Sequence, residues 1–459
     1  MKLPDEFVMK MQNLMDEEEY TTFIRELKRK IMVHSLRINT KKITVSAFLR
    51  IFPHELTPVP WCAEGFYLPK GFKASKHPFY YAGLYYLQDP SAMLPVVALA
   101  PQRGERILDL CSAPGGKATQ IGAATNDQSF VLMNDINPKR TKALLKNVEN
   151  FGLKNFVVTN NQPQELAAAF PGYFDRVLID APCSGEGMFR REPRLLIAWR
   201  RDYHPKICVP LQADLLHSAA QLVAPGGRIV YSTCTFSPEE NERQVRTFLA
   251  QHPEFHLGTI NLEGVSPGRG EWADDPTLQQ TGRIWPHLSR GEGQFAAVLE
   301  KKAADGGEPP VLFSGREPDA SSLQPFWDFC NEVGITPPTG RFWRKEDDLL
   351  LLPPELPDLA GLNVIRLGLF LGELRYDRFR PSHPFALALD KQEAGRQLEL
   401  PPDSMEVLKY LKGETLMVTE ETPAGNGWIL VTTEGFPLGW AKRVGNLVKN
   451  QYPPAWRMK

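Results

Sequence analysis

Apolar positions recur at helical spacing at the start of the chain: Phe7, Met11, Leu14 and Met15, with Phe23 and Leu27 continuing after Tyr20. That periodicity predicts one helical segment with a buried stripe. The following "IMVHSLRINT" has strand character, and "GFYLPKGFKASKHPFYYAGLYYLQDPSAM" is crowded with aromatics and turn formers. Together they predict a small α+β domain over residues 1–94. From Arg106 the texture changes. The runs "RILDL", "SFVLMND", "NFVVTN", "FDRVLID" and "GRIVYST" are short, apolar and separated by helical stretches. Two of those stretches are Pro138–Phe151 and Leu211–Val223, the second stopped by "APGG". Strand alternating with helix predicts a mainly parallel, doubly wound α/β sheet with right-handed crossovers. "GQFAAVLEK" at 293–301 is its last strand, so this unit spans 95–302. "AADGGEPP" opens a linker over 303–312. Beyond it, "LNVIRLGLFLGELRYDRFRPSHPFALAL" mixes strand-like runs with Arg366, Arg375, Arg378 and Arg380. Two C-terminal domains are expected there, 313–384 and 385–459.

Composition narrows the class. The chain has 459 residues, 42% hydrophobic and 23% charged, with a net charge of -1. Its length calls for several domains, and no global positive field advertises a nucleic-acid partner, so any such surface must be local. "MKLPDEFVMK" has acids where a signal peptide needs an apolar core, and no apolar run is long enough to span a membrane. The six cysteines are scattered, with no C-x-x-C pair. Neither a zinc or other metal site nor a disulfide framework is expected, and the reducing cytoplasm is the expected compartment.

The first strand of the α/β unit runs into "LDLCSAPGGKATQ", a glycine-rich turn and a helix start. Such a turn lets backbone N–H groups and a helix N-terminus approach a ligand. A phosphate-binding P-loop would need Gly at 111 and Ser or Thr at 118, where this chain has Cys111 and Ala118. The dinucleotide fingerprint G-x-G-x-x-G is also missing. An adenosine cofactor without a pyrophosphate remains, namely S-adenosylmethionine. Asp135 closes the second strand, twenty residues after Gly115, where a carboxylate meets ribose hydroxyls. It is also placed to cap the helix opening at Pro138.

Asp180 and Cys183 follow the fourth strand in "LIDAPCSGEG", and Cys234 follows the fifth in "RIVYSTCTF". Strand C-termini line the ligand crevice of such a sheet, so both cysteines should face the methyl donor. Cys62, Cys208 and Cys330 read as ordinary buried thiols. A thiolate adding to carbon 6 of a pyrimidine makes carbon 5 nucleophilic enough to take a methyl group, and a carboxyl group at ring nitrogen 3 and the exocyclic amine would favour cytosine. A paired target would first have to be unstacked. The residues leave open which cysteine attacks.

"LDLCSAPGGKATQ", "DAPCSGEGMFRR", "YSTCTFSPEENE" and "SLRINT" resemble the signature blocks of the Sun/Fmu family of RNA 5-methylcytosine methyltransferases. "GLFLGELRYDRFRPSHPFAL" and "PLGWAKRVGNLVKNQYP" resemble its RsmF-type branch, which carries a C-terminal RNA-binding region including a PUA-like domain. The resemblance implies an N-terminal accessory RNA-binding domain over 1–94, a Rossmann-like methyltransferase domain, S-adenosylmethionine as cofactor, and RNA as partner, with small-subunit ribosomal RNA the substrate of that branch. It implies that Cys234 attacks and Cys183 helps release the product. It also implies that Cys111, Ser112, Ala113, Pro114, Gly115, Gly116 and Lys117 form the cofactor loop, with Lys117 facing the reaction as well. Asp135 would bind ribose, and Asp180 would contact cytosine near the donor methyl. Where many relatives carry an acid near the adenine, this chain has "TNNQ", so Asn161 or Gln162 must serve. Arg140 lies near the cofactor or is a solvated helix arginine. The same chemistry on transfer RNA, and a noncatalytic RNA-binding assembly factor with a vestigial cofactor fold, are the competing readings. A monomer is expected.

Three places are candidate RNA surfaces. "FRREPRLLIAWRRDYHPK" carries Arg190, Arg191, Arg194, Arg200, Arg201 and Lys206, with Trp199 and Tyr203 interleaved, beside the Cys183 loop. The tail, 435–459, has five basic residues and no acid, with Lys442, Arg443 and Lys449 among Trp440 and Tyr452. Arg37 would either orient RNA or form an ion pair at a domain interface.

Overall fold

The computed structural model describes residues 2–29, 33–199, 201, 204–304, 311–391 and 393–459. The N-terminal apolar stripe is two helices, Asp5–Leu14 and Glu17–Lys28, where the periodicity predicts one. The break has a local cause: Asp16 leaves helical geometry and its carboxylate accepts the Glu19 N–H at 2.8 Å, capping the second helix. A four-stranded antiparallel sheet follows, ordered Thr57–Val59, Cys62–Tyr67, Ser35–Ile38, Tyr85–Leu87.

The central sheet has ten strands. Its parallel core is ordered Val223–Thr233, Phe174–Asp180, Arg106–Asp109, Phe130–Asn134, Phe156–Thr159. The antiparallel strand Gln294–Lys301 flanks Val223–Thr233. Successive residues serve opposite faces: Ile107, Val131, Val158 and Leu178 pack under the helices Leu94–Leu99, Gly116–Ala124 and Pro138–Asn150. Leu108, Leu132, Val157 and Val177 face Leu166, Leu216 and Val245 instead. Burial on both faces explains why these strands read as unbroken apolar runs. The strand order reverses between Arg106–Asp109 and Phe174–Asp180, which opens a crevice at their C-terminal ends.

The helix before Val223 begins at Pro205, not Leu211, and carries Pro210 inside it before ending at Leu222. Nor does Asp135 cap the helix at Pro138; Asn137 does, accepting the Lys139 and Arg140 N–H groups.

Past the linker, helix Gln324–Val333 packs on a four-stranded antiparallel sheet, and five strands with helix Met405–Lys412 form the last domain. Two long-range joins hold the ends in place. Val364–Leu367 leaves the C-terminal region and pairs antiparallel with Phe156–Thr159, closing the edge of the central sheet. Leu36, Phe48 and Tyr85 share one core with Val407, Tyr410, Ile429 and Tyr452, so the N-terminal sheet packs on the last domain.

Candidate active site

The glycine-rich turn leaves strand Arg106–Asp109 and enters helix Gly116–Ala124. Gly115 sits at φ +105, which favours glycine, and a Cβ there would press on Leu144 at 3.1 Å. The Ser112 hydroxyl donates to Asp109 Oδ2 at 2.9 Å. Asp135 takes the Ala113 N–H at 3.2 Å on one oxygen and the Asn137 N–H at 2.8 Å on the other. Arg140 is half exposed yet tied in: Nη1 lies 3.4 Å from Asp135, and Nη2 donates to the Ala113 carbonyl. It borders the cleft and is not a free helix arginine.

Lys117 reaches across the crevice from the turn, its Nζ 2.7 Å from Asp180 Oδ2. The Ser232 hydroxyl donates to the other Asp180 oxygen at 3.1 Å. Burial works against the lysine's charge, but Asp180 outweighs it and raises the Lys117 pKa. The Cys183 and Cys234 sulfurs are 3.4 Å apart. Cys234 is half-buried and lines the cleft; Cys183 is buried behind it. Its hydrogen bond with Cys234, then burial, push the Cys183 thiol well up. Burial, reinforced by Asp109, Asp180 and Asp135, likewise keeps Cys111 a thiol.

A buried carboxylate joins the two cysteine loops. Glu240 accepts the Ser184 N–H and the Gln212 amide, both at 2.9 Å, and the Ser184 hydroxyl. Ser184 Oγ in turn lies 2.7 Å from Thr235 Oγ1. Ser184 follows Cys183 and Thr235 follows Cys234, so the network fixes both thiols. Gly187 adds a backbone contact: its N–H donates to the Cys234 carbonyl at 2.9 Å, where a side chain would collide with that oxygen. Sequence reasoning missed Glu240, although "SPEENE" follows the second cysteine directly.

The cleft holding Cys111 to Pro114, Gly116, Lys117, Arg140, Asp180 and Cys234 measures about 970 Å³. Four stretches of the chain match described families. Residues 96–300 match "16S rRNA methyltransferase RsmB/F", and 3–90 match the N-terminal domain of 16S rRNA methyltransferase RsmF. Residues 328–389 match the RsmF first C-terminal domain, and 397–458 the RsmF PUA domain. The ribosomal RNA small subunit methyltransferase F of Erwinia tasmaniensis is 33% identical, over 98% of this chain and 96% of its own. That of an Escherichia coli strain is 33% identical over 98% and 95%. The chain belongs to the RsmF-type branch of the Sun/Fmu methyltransferase family.

Among solved structures, a methyltransferase homolog from Pyrococcus horikoshii superposes with a TM-score of 0.58 at 25% identity, covering 65% of this chain and 95% of its own. NSun6 from the same organism shares the fold, with a TM-score of 0.56 at 20% identity over 66% and 99%.

The residues present fit the S-adenosylmethionine of an RsmF-type methyltransferase. Asn161 is buried, its N–H held by Asn134 at 2.9 Å and its amide NH2 by Glu165 at 3.0 Å. Its amide oxygen is left buried with no partner among the described residues, a hydrogen-bond acceptor still to be satisfied. Gln162 is exposed, and its N–H also goes to Glu165. Among the described residues no cluster of His, Cys, Asp and Glu has a metal-binding arrangement, and no helix is long and apolar enough to cross a membrane.

The basic stretch after Cys183 departs from its sequence reading. Arg190 is buried on Glu292 at 2.8 Å, Arg191 is held by Asp89 at 2.8 Å, and Trp199 packs in the core against Phe189. Arg190 spends its charge inside the protein and Arg191 is paired at the edge of the cleft, while Arg194, Arg201 and Lys206 stay exposed; Arg200 and Tyr203 lie outside the described residues. In the tail, Trp440 and Tyr452 are core residues, Arg443 donates to the Thr422 and Pro423 carbonyls, and Lys442 and Lys449 face solvent opposite each other. Arg37 does neither of the things expected of it. Fully buried, it donates to Gln88, the Gly116 carbonyl and Thr119, each at 2.9 Å, and packs over Phe151. It ties the N-terminal sheet to the start of the cofactor helix.

Proposed function

We propose that the protein transfers a methyl group to carbon 5 of a cytosine in small-subunit ribosomal RNA, through a covalent adduct on Cys234. One observation carries this reading: two thiols 3.4 Å apart share a crevice with the glycine-rich turn, and Cys234 is the one that faces the cleft. When bound, S-adenosylmethionine supplies an electrophilic methyl group. The Cys234 thiolate adds to carbon 6 of an unstacked cytosine, and the bond electrons shift into the ring. Asp180 takes the exocyclic amine, and the Lys117 ammonium beside it offsets the negative charge that addition creates. Carbon 5 would then bond the methyl group as the donor's methyl–sulfur bond breaks and its electron pair stays on that sulfur, leaving S-adenosylhomocysteine; a base removes the carbon 5 proton, and the Cys234 sulfur leaves as carbons 5 and 6 regain their double bond. Cys183, against the leaving sulfur, assists that release. Asp135 takes the ribose, the Ser112 to Gly116 backbone closes around the methionine end, and Asn161 receives the adenine. All six cysteines are free, which suits the cytoplasm, and we take the enzyme to act as a monomer.

The test is a denaturing gel of protein incubated with S-adenosylmethionine and bacterial 16S ribosomal RNA. Cys183→Ala should accumulate a slow-migrating protein–RNA band, because the adduct forms but does not resolve; Cys234→Ala should give none. An adduct that requires Cys183 and survives loss of Cys234 would reverse the two roles.

A further inference from the structure

Arg190 is neutralised inside the protein and Arg191, at the cleft, is paired with Asp89, but another wall of the same cleft carries cations without such partners. That wall is the turn 68–77 of the N-terminal domain, "LPKGFKASKH", which contains three lysines and no acid. Pro69, Phe72, Lys73, Ser75 and Lys76 border the same cleft as Cys234, Asp180 and Lys117. Lys70, Lys73 and Lys76 are all exposed, and among the described residues none pairs with a carboxylate. His77 adds no charge near neutrality, since burial and then His54 lower its pKa to about 4.

The turn is held rigidly. Ala74 is buried, and its carbonyl accepts the Tyr85 hydroxyl at 2.6 Å. Phe72 packs edge-on against His54, with ring centres 4.6 Å apart, and against Phe52 at 5.5 Å. Three exposed ammonium groups on a fixed support make a local positive surface at the rim of the cleft, of the kind that attracts phosphates. Of the carboxylates lining the cleft, Asp89 and Asp180 are paired, leaving Glu192 the only unpaired one among the described residues.

We propose that the turn 69–76 is a backbone clamp, in which Lys70, Lys73 and Lys76 hold the phosphates flanking the target cytosine while Cys234 acts within the same cleft. This rests on the proposed RNA substrate. The test compares Lys70→Ala/Lys73→Ala/Lys76→Ala, the triple arginine variant and wild type by filter binding to 16S ribosomal RNA across a salt series, with methyl transfer measured in parallel. At about 0.7 per phosphate on single strands, the alanine variant should lose about 2 from the slope of log affinity against log salt, or about 50-fold in affinity at 0.15 M. KM for RNA should rise in proportion, with kcat little changed, and arginine should restore both. Lys302→Ala, at the end of the central sheet away from the cleft, should leave the slope unchanged. An unchanged slope in the alanine variant overturns the clamp. A reduced slope in protein that transfers no methyl group supports the clamp and overturns the catalytic reading instead.

Discussion

Replacing Glu240 should separate the geometry of the two thiols from every other property of the enzyme. The carboxylate takes three hydrogen bonds in a fully buried setting: the Ser184 N–H, the Ser184 hydroxyl and the Gln212 amide. Glu240→Ala strips the acceptor from all three. A buried donor left without a partner costs about 1–3 kcal/mol, and the hydroxyl retains Thr235, so the two remaining donors should cost about 2–6 kcal/mol. That is a large share of the ~5–15 kcal/mol that holds a typical protein folded, and the alanine variant should unfold at clearly lower urea. Glu240→Gln is the sharper tool. Its amide oxygen can keep the Ser184 N–H and the Gln212 NH2, which share one Glu240 oxygen, but its NH2 then faces the Ser184 hydroxyl, which must accept there and turn its proton to Thr235, at a cost of about 1 kcal/mol. The protein should fold, bind RNA as before, and hold Cys183 and Cys234 slightly out of place. A displacement near 1 Å at a reacting atom lowers rates by about 100-fold. The assay is the rate of covalent band formation in a Cys183→Ala background, with RNA affinity measured alongside. A folded Glu240→Gln protein forming the adduct at the undiminished rate would refute this role for the carboxylate.

Arg37→Leu should cost about 1–3 kcal/mol, from the orphaned Gln88 amide oxygen, since the Gly116 carbonyl keeps the Thr119 hydroxyl, and should raise KM for the methyl donor; a change in the salt dependence of RNA binding would instead place Arg37 on RNA. Asn161→Ala should weaken donor binding by about tenfold, the worth of one buried hydrogen bond, whereas Gln162→Ala should shift it less than about twofold by calorimetry. Equal effects would refute the choice of Asn161. Glu149, beside Arg366 at 3.7 Å, is pushed up to about 7 by burial, which Arg366 only partly offsets. It keeps its proton in the folded protein after the unfolded chain has released it, so its contribution to stability falls as pH rises from about 4.5 to 7. Urea unfolding should therefore show wild type losing stability relative to Glu149→Gln across that window. A constant difference would refute the buried, protonated state.

The parts of the molecule legible in the chain are those decided by neighbours in sequence. Apolar runs such as "RILDL" and "FDRVLID" mark strands covered on both faces, and "SAPGG" marks a turn that only small residues and Gly115 permit, because local sterics and side-chain period govern both. The pairing of two strand-end cysteines followed from the same alternation, while their division of labour came from family resemblance alone. Contacts between distant residues were not legible. Arg190 and Glu292 are 102 positions apart, and nothing in "FRREPR" distinguishes a buried ion pair from a solvated phosphate track. Glu240 meets Ser184 across 56 positions, so its carboxylate read as one acid among several in "SPEENE". Val364–Leu367 looked like any C-terminal strand until the open edge at Phe156–Thr159 gave it a partner. Charge and hydrogen-bonding capacity are written in the sequence; whether they are spent inside the protein or remain for a ligand depends on which distant groups folding brings within about 3 Å.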